Sequence, residues 1–390
     1  MKIDPNLKEF ATPRQQEMLE AWEKYGSTRT AANAVGVSQS VFGRVLKAVR
    51  KKAVHQGYSP EHDMTHGLPD GLMLKGTSTL YDKNGELKIQ WVKSKVDAER
   101  QEEMFKAMAA GFAAELPKAK AVPDPIIKMH SNLMACYPVG DQHMGMLSWD
   151  KETGADYDLK IGEDLLMGAS TYLISSAPPT YEATLVFLGD FMHYDSMEAV
   201  TPTSRNTLDA DSRFPKMVKA AIKCMRHMIQ KTLEKHSHVH VVVEIGNHDL
   251  SSSIFLMQML DNVYEDEPRI TIDTSPSHYH YFQFGQNLVG IHHGDGAKMQ
   301  DLPQIMAVDM PQQWGATKFR YWWTGHVHHD QTKDYRGVKV ESFRTLAPKD
   351  AWHSEKGYRS MQDMKCIVLH EDFGEVARYV VNPDMLKGKE

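Results

Sequence analysis

Past residue 126 the chain alternates short, dense apolar runs with longer mixed stretches. NLMACYPVG, ATLVFLGD, HVHVVVEIG, NLVGIHHG and YWWTG are of strand length, and residues 158–176 and 215–236 between them read as helices. That alternation predicts an α/β layout with the sheet covered on both faces. Residues 12–57 read differently. ATPRQQEMLEAWEKYG predicts a helix with Pro13 in its first turn and Gly26 as its stop. Ser27 or Thr28 can cap a second, short helix that Gly36 breaks, and Ser38 can cap a third through QSVFGRVLKAVRKKAVHQG. Two short helices on a glycine turn, the last one basic, form the helix-turn-helix pattern. Between these parts, GYSPEHDMTHGLPDGLMLKG reads as loop. TSTLYDKNGELKIQWV reads as a hairpin turning at Asn84-Gly85, with Leu87, Ile89 and Trp91 on one face. VDAERQEEMFKAMAAGFAAEL reads as a helix ended by Pro117. The organisation expected is therefore a helix-turn-helix domain at 1–57, a connector at 58–125 and a catalytic domain at 126–390.

Composition narrows this picture. Hydrophobic residues make up 41% of 390 positions, enough for a sizeable core, and the formal net charge of −6 excludes a uniformly basic coat. Basic charge is local instead: Arg29, Arg44, Lys47, Arg50, Lys51 and Lys52 lie in a stretch, Tyr25 to Pro60, without one acidic residue. Of these, Arg44, Lys47, Arg50 and Lys51 are the candidate DNA contacts. The alternative for this helix is a solvated face of a small bundle used for dimerisation. Cys136, Cys224 and Cys366 are far apart and read as thiols of a reducing compartment. MKIDPNLKEF lacks a signal core and no apolar run approaches membrane length, so no membrane association and a cytoplasmic location are expected. Twenty histidines raise the question of metal.

Each of the five apolar runs ends in metal-capable side chains. They deliver Asp141 and His143; Asp190 and His193; Asn247, His248 and Asp249; His292, His293 and Asp295; and His326, His328 and His329. Ligands bind at the carboxyl ends of strands in open α/β sheets, so these residues are placed to meet in one crevice. Carboxylates with imidazoles and no thiolate suit Mn, Fe or Zn rather than a structural zinc site. Asp141 and His143, like His326 and His328, are two apart and share a face of an extended strand end. Glycines precede Asp190, Asn247 and His326 and let the chain turn tightly there.

The ordered set D-x-H, G-D, G-N-H-D, H and G-H-x-H over residues 131–345 resembles the calcineurin-like metallophosphoesterase superfamily. The resemblance implies an α/β/β/α sandwich of two mixed sheets. It implies two divalent metal ions, with Mn2+ first and Fe2+, Zn2+ or Mg2+ as alternatives. Asp141, His143, Asp190 and His328 would hold one ion; Asp190 would bridge to a second held by Asn247, His326 and His293, with His292 as the fallback. Such a pair clamps a phosphate and acidifies water. His248 would assist the leaving group, and Asp249 would orient His248 or a nearby backbone group.

Two details bear on the substrate. GDFMH puts His193 where many members have an aspartate, which resembles the SbcD-type DNA exonucleases, in which that histidine assists catalysis. The departures are Asp195 two residues on, and no evident capping domain. The helix-turn-helix candidate resembles modules of bacteriophage-encoded proteins. The stretch from Met192 to Pro215 reads as a substrate-facing insertion, with Arg205, Arg213 and, later, Arg344 as candidate phosphate contacts. The activity expected is metal-dependent cleavage of DNA. The alternatives are a cyclic or signalling-nucleotide phosphodiesterase or a phosphomonoesterase, and a catalytically silent DNA-binding assembly protein. Expected partners are DNA and, beyond it, another copy of the chain or a phage or host DNA-processing protein.

Overall fold

All five apolar runs form strands in the computed structural model. It describes residues 4–56, 58–59, 64, 68, 72–81, 87–97, 100, 103, 107, 111, 118, 122–125 and 127–387. The chain divides into two units, Met1–Met104 and Phe105–Glu390.

In the first unit a short 3-10 helix, Pro5–Phe10, precedes α1 (Pro13–Tyr25), α2 (Thr28–Ala34) and α3 (Gln39–His55). The stop and start signals act as their chemistry dictates. Gly26 takes the left-handed conformation after α1 (φ 63°), and the Ser38 hydroxyl accepts from the Val41 N–H at the start of α3. On α3, Phe42, Leu46, Val49 and Ala53 fall on one stripe and pack with Leu7, Met18, Leu19 and Ala31. Arg44, Lys47, Arg50 and Lys51 are all exposed. Strands β1 (Leu72–Tyr81) and β2 (Leu87–Val96) pair antiparallel, as the hairpin pattern predicts; the Asn84-Gly85 turn lies outside the described residues. Most of the connector helix read between Val96 and Leu116 also lies outside them.

The second unit is built on β3 (His130–Val139), β4 (Thr180–Phe187), β5 (His238–Val243), β6 (Ile270–Ile272), β7 (His280–Phe284), β8 (Asn287–Ile291), β9 (Phe319–Thr324), β10 (Gln331–Asp334), β11 (Lys339–Ser342), β12 (Met364–His370) and β13 (Gly374–Val381). They form a six-stranded sheet, β13-β12-β3-β4-β5-β6, and a five-stranded sheet, β10-β11-β9-β8-β7. Both are mixed: β3 through β6 run parallel while β12 and β13 run antiparallel, and β8, β9 and β11 run parallel between antiparallel β7 and β10.

The strand period of two sorts the core into layers. Met134, Cys136, Val186 and Leu188 meet Val289, Ile291, Tyr321 and Trp323 between the sheets. Their neighbours Ala135, Tyr137, Leu185 and Phe187 face the other way, into the helices Leu159–Ser176, Phe214–Leu233 and Leu250–Val263. On the far side Trp322 packs with Leu302 and Met306 of the helix Leu302–Asp309. Helix, sheet, sheet, helix is the sandwich the sequence resemblance implies. Burying each such side chain contributes about 1.5–3 kcal/mol relative to leaving it in water. Among the described residues no helix is long and apolar enough to cross a membrane.

Candidate metal centre

The parallel strands of both sheets stop at the same edge of the sandwich, and every candidate block begins one to three residues beyond a strand end. The turns there are tight enough to force unusual backbone. Of six non-glycine residues with positive φ among the described residues, four are candidate ligands: His143 (45°), Asp190 (48°), His326 (67°) and His328 (54°). Each such conformation costs on the order of 1–3 kcal/mol and persists only where the surroundings hold it. The glycines before the ligands are required by close approach. A Cβ on Gly246 would overlap the Asp190 amide and carboxylate, and one on Gly325 would lie 2.6 Å from Asp141 Oδ2.

Three donor groups result among the described residues: His143, His193 and His248 form one, and the expected ligands form two more. Asp141, His143 and His328 form the first of these two, and Asp190, His293 and His326 the second; within each group, the donor atoms lie within 4.8 Å of one another. Asn247 joins the second through Oδ1, 3.1 Å from His293 Nε2. Asp190 sits between them: its charge acts on His143 and on His293, whose Nε2 is 3.2 Å from Asp190 Oδ2.

The donor chemistry fits divalent cations. Lone pairs converge on lone pairs: His143 Nε2 faces His328 Nε2 at 3.0 Å, and Asp141 Oδ1 is 3.6 Å from His328 Nε2. His293 Nδ1 donates to the Leu188 carbonyl at 2.8 Å, which turns its Nε2 toward Asp190 and Asn247. Burial, then the neighbouring rings of His248 and His328, hold the His143 imidazole well below its ordinary pKa, in the neutral form a ligand needs. His292 is turned away, with Nδ1 on the His278 carbonyl and Nε2 accepting from the Ala297 N–H, so His293 and not His292 reaches the centre.

The surrounding hydrogen bonds lock the two sheets' loops together. The His326 N–H donates to both carboxylate oxygens of Asp141, at 2.8 and 2.9 Å, and the His248 N–H donates to Asp190 Oδ1 at 2.7 Å. His248 Nδ1 donates to the His193 carbonyl at 2.8 Å. The His193 ring is itself buried against His143, Nδ1 to Nδ1 at 3.3 Å, and burial followed by the His248 charge pushes it down to about 3.

Asp249, expected to orient His248 or a nearby backbone group, is fully buried and accepts from the backbone N–H groups of Gly246, Asp190 and Met192. It shapes the Asp190 turn and touches neither His248's ring nor the cavity. Asp195 accepts from the N–H groups of Ser251 and Ser252 at the start of the helix after the third block, tying the second block to the third.

The donors open into a cavity of about 390 Å3. The insertion after Asp190 lines it with Thr201, Asn206, Thr207, Leu208 and Asp209, but Arg205 and Arg213 do not. Arg205 pairs with Glu198, and Arg213 is exposed at the start of the helix Phe214–Leu233. Arg344 also lies outside the lining, with its guanidinium taken up by Asp363 and 3.9 Å from Asp330. The sequence reading missed a further part of the lining: Asp350, Trp352, His353 and Tyr358, from a segment after the last motif with no spacing signal of its own.

No protein-family model matches the chain, and no curated protein matches it. Among solved structures, a novel archaeal phosphodiesterase is 12% identical, covering 64% of this chain and 100% of its own, with a TM-score of 0.33. Vps29 from Entamoeba histolytica, in complex with zinc, is 12% identical over 64% of this chain and 98% of its own, with a TM-score of 0.25. The 5'-nucleotidase from Candida albicans is 10% identical over 68% of this chain and 55% of its own, with a TM-score of 0.35.

Proposed function

We propose that the second unit hydrolyses phosphodiesters with the help of two divalent cations. Asp141, His143, Asp190 and His328 would hold one, and Asp190, Asn247, His293 and His326 the other; manganese is the first choice among the ions these donors suit. When bound, such a pair supplies positive charge to the phosphate and makes water acidic enough to attack it near neutral pH. The chain's own residues do the rest. His248, fixed through Nδ1 on the His193 carbonyl, keeps Nε2 for the leaving oxygen.

The observation that carries the diester reading is the charge of the cavity. Among the described residues no lysine or arginine lines it, while the carboxylates of Asp209 and Asp350 do. A monoester dianion would bring two negative charges toward them; a diester brings one.

DNA is the preferred substrate in this reading. Its support is α3, where Arg44, Lys47, Arg50 and Lys51 are exposed and have no ion-pair partner among the described residues. The lack of lysine and arginine in the lining among the described residues favours a second reading, a small diester such as a cyclic or signalling nucleotide, because no cation there grips the flanking phosphates of a strand. The test is incubation with manganese and linear DNA, circular DNA, cyclic nucleotides or para-nitrophenyl phosphate. Cleavage of linear DNA alone makes it an exonuclease, and cleavage of both DNAs an endonuclease. Turnover confined to small molecules sinks the nuclease reading. Metal-loaded protein that turns over nothing is the silent assembly protein. Replacing Arg44, Lys47, Arg50 and Lys51 with alanine is expected to weaken DNA binding and flatten its salt dependence by about four units of slope if all four meet phosphates.

A further inference from the structure

We propose that the cavity holds a nucleobase subsite, formed by Trp352 and Tyr358 on the wall beside His328. This rests on the phosphodiester reading and names the substrate class: a diester with a nucleoside on one side of the phosphorus.

The wall is built and held. The short helix Ala351–Glu355 begins at Asp350, whose carboxylate accepts from the His353 N–H at 2.8 Å and from its ring Nδ1 at 2.7 Å. The His353 ring, so fixed, stacks on that of His328, with centroids 4.9 Å apart and planes 27° apart. Trp352 meets His353 edge-on at 4.9 Å, and Tyr358 meets it at 5.1 Å. An aromatic surface therefore runs from a candidate ligand to the cavity mouth in two ring-to-ring steps.

What marks it as a binding surface is uncovered π area beside the reacting centre. Trp352 is 54% exposed and Tyr358 39%, yet both line the cavity whose floor is His143, Asp190, Asn247 and His248. Their centroids are 6.0 Å apart and their planes 33° apart, too close for a base between them, so a base stacks on their cavity face. The same cavity is lined by polar residues of the insertion, Thr201, Asn206 and Thr207. A nucleobase needs this pairing, a flat face to stack on and hydrogen-bonding groups at its edge. A cavity of about 390 Å3 is in the size range of small-ligand sites. Among the described residues no lysine or arginine lines the cavity, which fits a base rather than a further phosphate.

The test compares two diesters with one leaving group, thymidine 5'-(4-nitrophenyl phosphate) and methyl 4-nitrophenyl phosphate, on the full chain loaded with manganese. The expected result is a higher kcat/KM for the nucleoside ester. The ratio of the two should fall about tenfold in W352A, mainly through KM, and should be largely kept in W352F, because any aromatic face stacks. An unchanged ratio in W352A, or no preference in the unaltered protein, overturns the subsite while leaving phosphodiester hydrolysis standing. Hydrolysis of neither ester sinks the phosphodiester reading instead. Saturation-transfer NMR with thymidine, which carries no phosphate, then judges the subsite alone. Saturation at the thymine protons that is lost in W352A supports it, and none in the unaltered protein overturns it.

Discussion

The two sheets make unequal contributions to the centre. Loops after β3, β4 and β5 bring the carboxylates, the amide and His143, while loops after β8 and β9 bring only histidines, His293, His326 and His328. The negative charges are the harder part to bury, and they are held by backbone N–H groups, on Asp141 from His326 and on Asp190 from His248. The five-stranded sheet's His293 is aimed by a carbonyl of the other sheet's loop, Leu188. One sheet supplies carboxylates and the other supplies imidazoles, and each orients ligands of the other. The centre is therefore a property of the sheet-to-sheet register and not of either sheet.

The largest expected effect attacks that register. Trp323 is 1% exposed between the sheets, and W323A is expected to cost about 3–5 kcal/mol by urea denaturation and to lower metal content at both clusters. Retained metal with that loss of stability would mean that the sheets hold the ligands separately. Next, the shared carboxylate should matter more than a single imidazole. D190N is expected to lose more than about 100-fold in metal affinity by competition with a chelator, beyond the 10- to 100-fold typical of an outer partner, and H326N is expected to lose less. Equal losses would erase the asymmetry between the sheets.

Acid sensitivity separates the sheets further. His236 is buried at the helical side of the six-stranded sheet, with Nε2 2.9 Å from the Tyr137 hydroxyl and Nδ1 2.8 Å from that of Thr180. Burial depresses its pKa from the ordinary 6.5 to about 4. Below pH 6.5 the unfolded chain takes up a proton that the folded chain refuses. The stability this group contributes is therefore whole above pH 6.5, lost as pH falls to about 4, and flat below. The loss is about 1–3 kcal/mol. H236Q is expected to reduce the slope of stability against pH in that window, and an unchanged slope would assign the sensitivity elsewhere. The smallest effect concerns the five-stranded sheet. The Ser342 hydroxyl donates to the His329 carbonyl at 3.0 Å, and S342A is expected to cost about 1 kcal/mol in denaturation with the metal retained.

How much of this was legible follows from where each signal lies. The five strands, the caps at Gly26 and Ser38 and the ligand blocks are written in contiguous residues, because dense apolar runs and helix punctuation act locally. The choice of His293 over His292 agrees with the family pattern, but its cause is the Leu188 carbonyl, over 100 positions away in sequence. Asp249 reads as orienting either His248 or nearby backbone, and only the three N–H groups that converge on it decide for the backbone of the Asp190 turn. The arginines of the insertion read as phosphate contacts because charge is visible in a sequence, while the acidic partner that takes up Arg205 and the pair flanking Arg344 are not.

By itself, then, the sequence determined which residues can bind metal, that they follow strands, and that a basic helix sits near the start of the chain. Tertiary structure decided that these donors gather at one end of the two sheets, that His293 and not His292 turns inward, and that Trp352 and Tyr358 line the cavity. The reason is physical. Donor chemistry and strand length are properties of neighbouring residues, whereas which lone pairs converge depends on two sheets packing in one register.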